Sequence, residues 1–398
     1  VLAATVRVTR DLDAAEEAVQ DAYVQALATW GRDGVPANPG AWLTTVARRR
    51  ALNLLRSRRT LEAKLPLLLG PTDATDPDPE TDVDEIPDDR LRLIFTCCHP
   101  ALALEAQVAL TLRLVCGVAT PDVAHVFLVS EPTMAARLTR AKKKIAAARI
   151  PYAVPSAGEL PARVDAALTV IHLLYTTGHT ARTGEALVRD ALTARALDLA
   201  RMLRGLLPDE REAAGLLALL LVHEARRETR TDAAGRLVRL AEQDRSAWDR
   251  ELIAEADRLI VEALRAGPPG RFLLQAAIAA LHAQAPSYEA TDWPQILTLY
   301  DELLRIWPSP VVALNRAVAL SMVDGPEAAL RSVEALERDG RLAGYRYLPA
   351  TKADLLHRLG RDAEAAVAYQ AAIALTDNAV EHAFLEQRFE AAHGPAGA

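Results

Sequence analysis

The amino-acid sequence predicts an all-α protein: two small helical domains, the second with a helix-turn-helix, and then a long helical-repeat domain. Three observations carry this. Apolar residues recur at helical spacing through nearly every segment, with no strand-like alternation. Two strongly basic helices are separated by a stretch too acidic and proline-rich to fold. Helix pairs near the C-terminus repeat small and aromatic residues at a fixed period.

Bulk properties set the limits. With 398 residues, 51% hydrophobic and 25% charged, the chain has material for several real cores and is not a disordered polymer. No apolar run approaches the roughly 20 residues that span a bilayer. Three cysteines cannot make a disulfide framework, which points to a reducing cytoplasm. A net charge of −7 argues against a generally basic nucleic-acid coat, so the uneven placement of charge holds the information.

The first stretch, VLAATVRVTRDLDAAEEAV, is a charged amphipathic pattern and not a signal peptide. It opens on Val1 inside a helical pattern, so further residues are expected upstream. Asp13 and Glu16 have the spacing of a capping box, and Val19, Tyr23, Leu27 and Trp30 trace a stripe expected to be buried behind an acidic face. After the turn GRDGVPANPG, Asn38 is placed to cap a long helix with Pro39 at its first position. In that helix Leu43, Val46, Ala47 and Leu54 are expected to face inward. Arg48, Arg49, Asn53, Arg56, Arg58 and Arg59 are left as a basic exterior. The first domain is thus expected over residues 1–64.

Residues 65–87 read as an acidic linker. From Pro71 to Arg90 the sequence holds nine acidic residues, one basic residue and four prolines, a composition extended by its own repulsion. The second domain, residues 88–152, ends in VSEPTMAARLTRAKKKI, from Val129 to Ile145. There Met134, Leu138, Ala141 and Ile145 form one apolar stripe. Thr133, Arg137, Arg140 and Lys144 form a second, rotated by about 100°. Upstream, Thr120 and Pro121 have cap and first-turn chemistry, LVS makes a tight turn, and Ser130 can cap the second helix. Short helix, tight turn and basic helix make a helix-turn-helix, whose second helix enters the major groove. Arg137 and Arg140 can reach bases or phosphates, and Lys142, Lys143 and Lys144 suit phosphate. On spacing alone, a solvated surface helix remains the alternative.

Residues 160–393 are expected to be the helical-repeat domain. HRLGRDAEAAVAYQAAIAL places Gly360, Ala365, Tyr369 and Ala372 at tetratricopeptide-like spacing, and Tyr300 stands 69 residues before Tyr369, close to two periods of about 34. A concave surface for a protein or peptide, or docking within the same chain, is the usual use of such an array.

Two basic helices plus an acidic face at Asp13, Glu16, Glu17 and Asp21 give two DNA contacts and one surface for a basic protein. Here the residues carry a resemblance. RDLDAAEEAVQDAYVQAL resembles the core-polymerase-binding helix of bacterial extracytoplasmic-function sigma factors, and NPGAWLTTVARRRALNLLR resembles their −10 helix. The stretch from Asp88 to Ile145 resembles their second domain, which reads the −35 element. Segments such as EQDRSAWDRELIAEA, TDWPQILTLYDELL and GYRYLPATKADLLHRLGR are similar to the subgroup with a C-terminal tetratricopeptide-like extension. The segment LLYTTGHTA departs from the FNEGY-like sequence usual in that subgroup.

The resemblance implies a cytoplasmic, non-enzymatic alternative sigma factor that joins core RNA polymerase and directs promoter-specific initiation. Asp13, Glu16, Glu17, Gln20 and Asp21 would face the β′ clamp helices, with the β flap as a further polymerase contact. Trp42, Arg48, Arg49, Asn53 and Arg56 would lie along the −10 strand. Thr133, Arg137, Arg140, Lys142, Lys143 and Lys144 would serve the −35 groove. The rival expectation is a helix-turn-helix regulator with a helical-repeat sensor domain that does not join polymerase.

Other chemistry is weakly signalled. Adjacent Cys97 and Cys98 beside His99 make a poor chelate, so no metal and no cofactor is expected, and the cysteines read as small hydrophobes. His172, His179, His223 and His282 lack a paired spacing or a nucleophile motif. RAGPPGR lacks the lysine and hydroxyl of a phosphate loop. Trp248, Trp293 and Trp307 read as packing between helices.

Overall fold

In a computed structural model the chain describes residues 1–64, 89–127, 129–180, 183–184 and 190–393. Eighteen α-helices and two two-residue strands make up the regular structure of these residues, so the protein is all-α. Contacts divide it into two compact units, Val1–Val170 and Ile171–Ala398. The acidic segment 65–87, read as a linker, and Asp88 lie outside the described residues.

The first unit opens with α1 (Leu2–Thr9), α2 (Leu12–Asp33) and α3 (Pro39–Lys64). The N-cap of α2 is Asp11, whose carboxylate accepts from the backbone N–H of Asp13 and Ala14 at 2.9 and 3.0 Å. The cap is therefore two residues upstream of the capping box read at Asp13, because Thr9 and Arg10 close α1 early: Arg10 adopts a left-handed conformation at φ 50°. Asn38 does cap α3, its Oδ1 accepting from Ala41 N at 3.0 Å.

The buried stripe of α2 is corrected by the structure. Leu12, Ala14, Ala15, Ala18, Ala22 and Ala26 are the buried residues, while Tyr23 is 51% and Leu27 84% exposed. Val19 and Trp30 do pack, beside Leu43, Ala47 and Val46 of α3. The alanine ridge wins because α2 is crossed on this side by α1 and α3, and small side chains let three helices approach closely. Spacing could not separate two stripes of the same period.

The second half of this unit comprises α4 (Asp89–Cys97), α5 (Leu104–Leu110, continued by a π turn to Val115), α6 (Thr120–Val126) and α7 (Glu131–Ala147). Gly117, at φ 71°, reverses the chain before α6. Ser130 caps α7 with its hydroxyl on Thr133 N, and Met134, Leu138, Ala141 and Ile145 are all buried, as the spacing requires. Cys97 and Cys98 are buried, Cys98 Sγ lying 3.6 Å from Thr111 Oγ1.

α8 (Leu160–His179) runs across the division between the units. The second unit continues with β1 (Thr183–Gly184), α9 (Asp190–Leu206), α10 (Arg211–Ala225), α11 (Arg250–Ala266) and α12 (Arg271–Gln284). Then come α13 (Trp293–Ile306), α14 (Pro310–Val323), α15 (Pro326–Asp339), α16 (Tyr347–Arg358), α17 (Asp362–Ala374), β2 (Asp377–Asn378) and α18 (Ala379–His393). α10 is apolar nearly all round and almost wholly buried, as a central helix must be. Gly215 lets it touch the backbone of α12: a Cβ there would meet Leu273 N at 2.6 Å. Glu212 then accepts from the N–H groups of Gly270, Phe272 and Leu273, placing a carboxylate on the N-terminus of α12.

Later helices pack as successive pairs around Ala365, Tyr369 and Ala372, with Gly360 closing α16 in the left-handed region. β1 pairs in parallel with β2, Thr183 opposite Asp377, which fastens the beginning of the unit to its end. The array is not uniformly helical. Between Arg227 and Trp248 run two 3-10 turns and an isolated bridge, Thr231 to Leu237, pinned by Trp248 Nε1 donating to Thr229 Oγ1 at 2.9 Å.

Candidate nucleic-acid and protein interface

On α2, Asp13, Glu17, Gln20, Val24 and Leu27 are exposed and follow one another at four- and three-residue steps. They form a single stripe that begins acidic and ends apolar, flanked by exposed Asp21 and Tyr23. An apolar anchor rimmed by charge is the anatomy of a protein-docking surface. Sequence reasoning named the acidic part. It missed Tyr23 and Leu27 because they share the spacing of a stripe expected in the core, and Val24 because it belongs to no stripe that the spacing marks.

On α3, Arg48, Arg49, Asn53 and Arg56 are all exposed, Arg56 donating to Asn53 Oδ1 at 3.2 Å, and Arg50 joins them. Trp42 is half-buried, its ring edge-on to Trp30 at 5.4 Å. The Arg58 and Arg59 side chains lie outside the described residues. A basic helix face next to a partly open indole can hold a phosphate backbone and stack a base.

On α7, Thr133, Arg140, Lys143 and Lys144 are exposed. Arg137 is half-buried, its guanidinium 5.4 Å from the centre of the Phe127 ring. Thr133 is partly occupied, its hydroxyl 2.8 Å from that of Ser130.

Lys142 is different. Its Nζ lies 2.7 Å from Asp13 Oδ1 and 2.5 Å from Glu16 Oε2, and Glu16 also holds Arg113 at 3.1 Å. Burial opposes the ammonium charge, but the two carboxylates outweigh it and raise the Lys142 pKa above the usual lysine value. Further ties join the same halves of the unit. Tyr152 donates its hydroxyl toward the carbonyls of Ala3 and Asp89 at 2.8 and 2.7 Å, and Arg7 stands 3.6 Å from Asp89. So α2 and α7, expected as separate surfaces, share an ion-pair network. Glu16 is thereby half-buried, in contrast to Glu17. Arg113 and Tyr152 carried no sequence signal: an arginine in an apolar helix and a tyrosine after a basic one reveal no tertiary register.

Among the described residues no group of three or more His, Cys, Asp or Glu could hold a metal ion, and no helix is long and apolar enough to cross a membrane.

Residues 1–60 match the model of sigma-70 region 2. The N-terminal domain is thus of the sigma-70 region 2 kind. This assigns α1 to α3 to a domain of transcription initiation, and core polymerase and promoter DNA are the partners such a domain implies. Residues 163–264 match a family of unknown function, DUF6596. The chain is also 44% identical over 393 residues to an uncharacterized protein of Rhizobium meliloti (strain 1021), covering 98% of this chain and 92% of that protein, and belongs to one family with it. The relative therefore shares the whole two-unit architecture, and not the sigma-70 region alone.

Proposed function

We propose that this protein is an alternative sigma factor of the extracytoplasmic-function type, working in the cytoplasm, with a C-terminal tetratricopeptide-like domain that regulates it. The observation that carries the reading is the sigma-70 region 2 match falling on the helices that present a docking stripe and a basic face. In this reading Asp13, Glu17, Gln20 and Asp21, with Val24 and Leu27, dock the β′ clamp helices, and Glu16 joins them once released from Lys142. Trp42, Arg48, Arg49, Asn53 and Arg56 follow the −10 strand. Thr133, Arg137 and Arg140 read the −35 groove, with Lys143 and Lys144 on phosphates.

Run-off transcription tests it. Purified full-length chain added to core polymerase should direct initiation from a promoter selected by the chain itself, and Glu17→Arg should abolish this. A chain that binds promoter DNA alone, unaffected by Glu17→Arg and unable to recruit polymerase, would be a free-standing helix-turn-helix regulator instead.

A further inference from the structure

The second unit holds a group of side chains that the reading above does not use. Tyr175 and His179 of α8 stack at 5.2 Å between ring centres, and His179 lies 5.1 Å from His223 of α10. At the end of α10, Arg226 donates toward His223 Nδ1 at 3.2 Å and lies over the Trp248 ring at 5.7 Å. Arg230, one turn on, donates to the His179 carbonyl and to Thr180 Oγ1.

No carboxylate pairs with Arg226 or Arg230 among the described residues. Glu224 is taken by Arg227 at 3.2 Å and by the Tyr175 hydroxyl, and Glu381 by Arg346 at 2.7 Å and by Tyr347. Two buried nitrogens are left without a hydrogen-bond partner: Arg226 Nε and His179 Nδ1. Two neighbouring guanidinium charges with no paired carboxylate are unfavourable unless an anion offsets them. The surroundings agree on the sign. Burial pushes His179 down to about 2, with Arg230 and Arg226 adding to the shift, and Arg226 itself falls to about 10. Yet Arg226, Arg230, His179 and His223 each keep part of their surface open to solvent, whereas Tyr175 and Trp248 beneath them are 1% and 2% exposed. The charged groups thus form one partly exposed cluster above two buried aromatic rings.

We infer that this cluster binds a small oxyanion, the carboxylate or phosphate group of a small molecule, held by the guanidinium groups of Arg226 and Arg230 beside His179. Guanidinium forks match both oxyanions through paired N–H donors. The inference is independent of the sigma-factor reading, and its test reads binding alone.

The probes are inorganic phosphate and succinate, titrated into the full chain by calorimetry and by thermal unfolding, with sodium chloride at matched ionic strength as the reference. At least one probe should bind saturably and raise the unfolding midpoint beyond the chloride reference. The responding probe tells phosphate from carboxylate. Arg230→Gln should weaken that binding at least 10-fold. Arg230→Lys, which keeps the charge and guards against loss of fold, should weaken it by a smaller factor. Arg236→Gln, on an exposed arginine paired with Asp232 outside the cluster, should leave it unchanged. Responses equal to chloride for both probes, or undiminished binding in folded Arg230→Gln, overturn the inference.

Discussion

Lys142 Nζ sits 2.7 Å from Asp13 Oδ1, joining the helix expected to meet DNA to the helix expected to meet polymerase, 129 residues apart in sequence. Neither partner can serve its proposed macromolecule while it holds the other. Lys142→Gln removes the charge that ties Asp13 and Glu16. Charge-assisted hydrogen bonds contribute about 1.5–3 kcal/mol each at best, and the exposure of Asp13 lowers that figure. Core-polymerase affinity, measured by titrating labelled chain, should rise roughly 3- to 10-fold. Unchanged affinity would mean that the ion pair does not compete with docking.

Glu17 and Leu27 test the docking stripe without disturbing that network, since both are exposed and neither joins the ion pairs around Lys142. Glu17→Arg and Leu27→Arg should leave the thermal midpoint nearly unchanged, within about 0.5 kcal/mol of stability. Each should cut core-polymerase binding 10-fold or more in the same titration. A wild-type affinity in both variants would remove α2 from the interface.

The all-α architecture was legible because helical periodicity depends only on which residues share a face. In α7 it fixed all four buried positions, since one stripe was apolar and its neighbour charged. In α2 it misled, because an alanine stripe and a stripe of Val19, Tyr23, Leu27 and Trp30 share one period, and only the crossing helices decide between them. The union of Lys142 with Asp13 and Glu16 was beyond reach for another reason. Complementary charge was visible on both helices, but the register across 129 residues is a tertiary property. The cluster around Arg226 was hidden in the same way, its members drawn from α8, α10 and the irregular stretch that follows, where the sequence suggested only more helix.

Arg140 is the exposed arginine of α7, and Arg137 is steadied by Phe127. If Arg140 makes a bidentate contact to a guanine, Arg140→Ala should cost about 1–3 kcal/mol on the preferred upstream element and almost nothing on one substituted at that base. Electrophoretic competition between the two duplexes reads this directly. An equal loss on both would assign Arg140 to phosphate.

Gly215 makes the tightest backbone approach in the second unit. Because a methyl group there meets the Leu273 backbone and not a flexible side-chain end, Gly215→Ala should destabilise that unit by about 1–3 kcal/mol, lowering its melting midpoint by about 3–10 °C. Differential scanning calorimetry measures the shift. An unaltered midpoint would show that α10 and α12 can separate at no cost.

Buried histidines give the second unit a pH dependence whose sign follows from their environment. Burial lowers His172 to about 4, with Arg271 adding to it, and lowers His282 to about 4, with Arg226 and Arg245 adding to it. The unfolded chain takes up these protons near pH 6.5 and the folded chain does not. Stability is therefore full above pH 6.5 and falls as the pH drops toward 4, by about 1.4 kcal/mol per pH unit for each such group. His172 packs edge-on against Phe272 at 5.5 Å, so a phenyl ring can take its place. The melting midpoint of the wild-type chain should fall steadily between pH 6.5 and 5, and the His172→Phe chain should show a shallower slope. Parallel slopes would mean that His172 is protonated in the folded protein, against the burial that surrounds it.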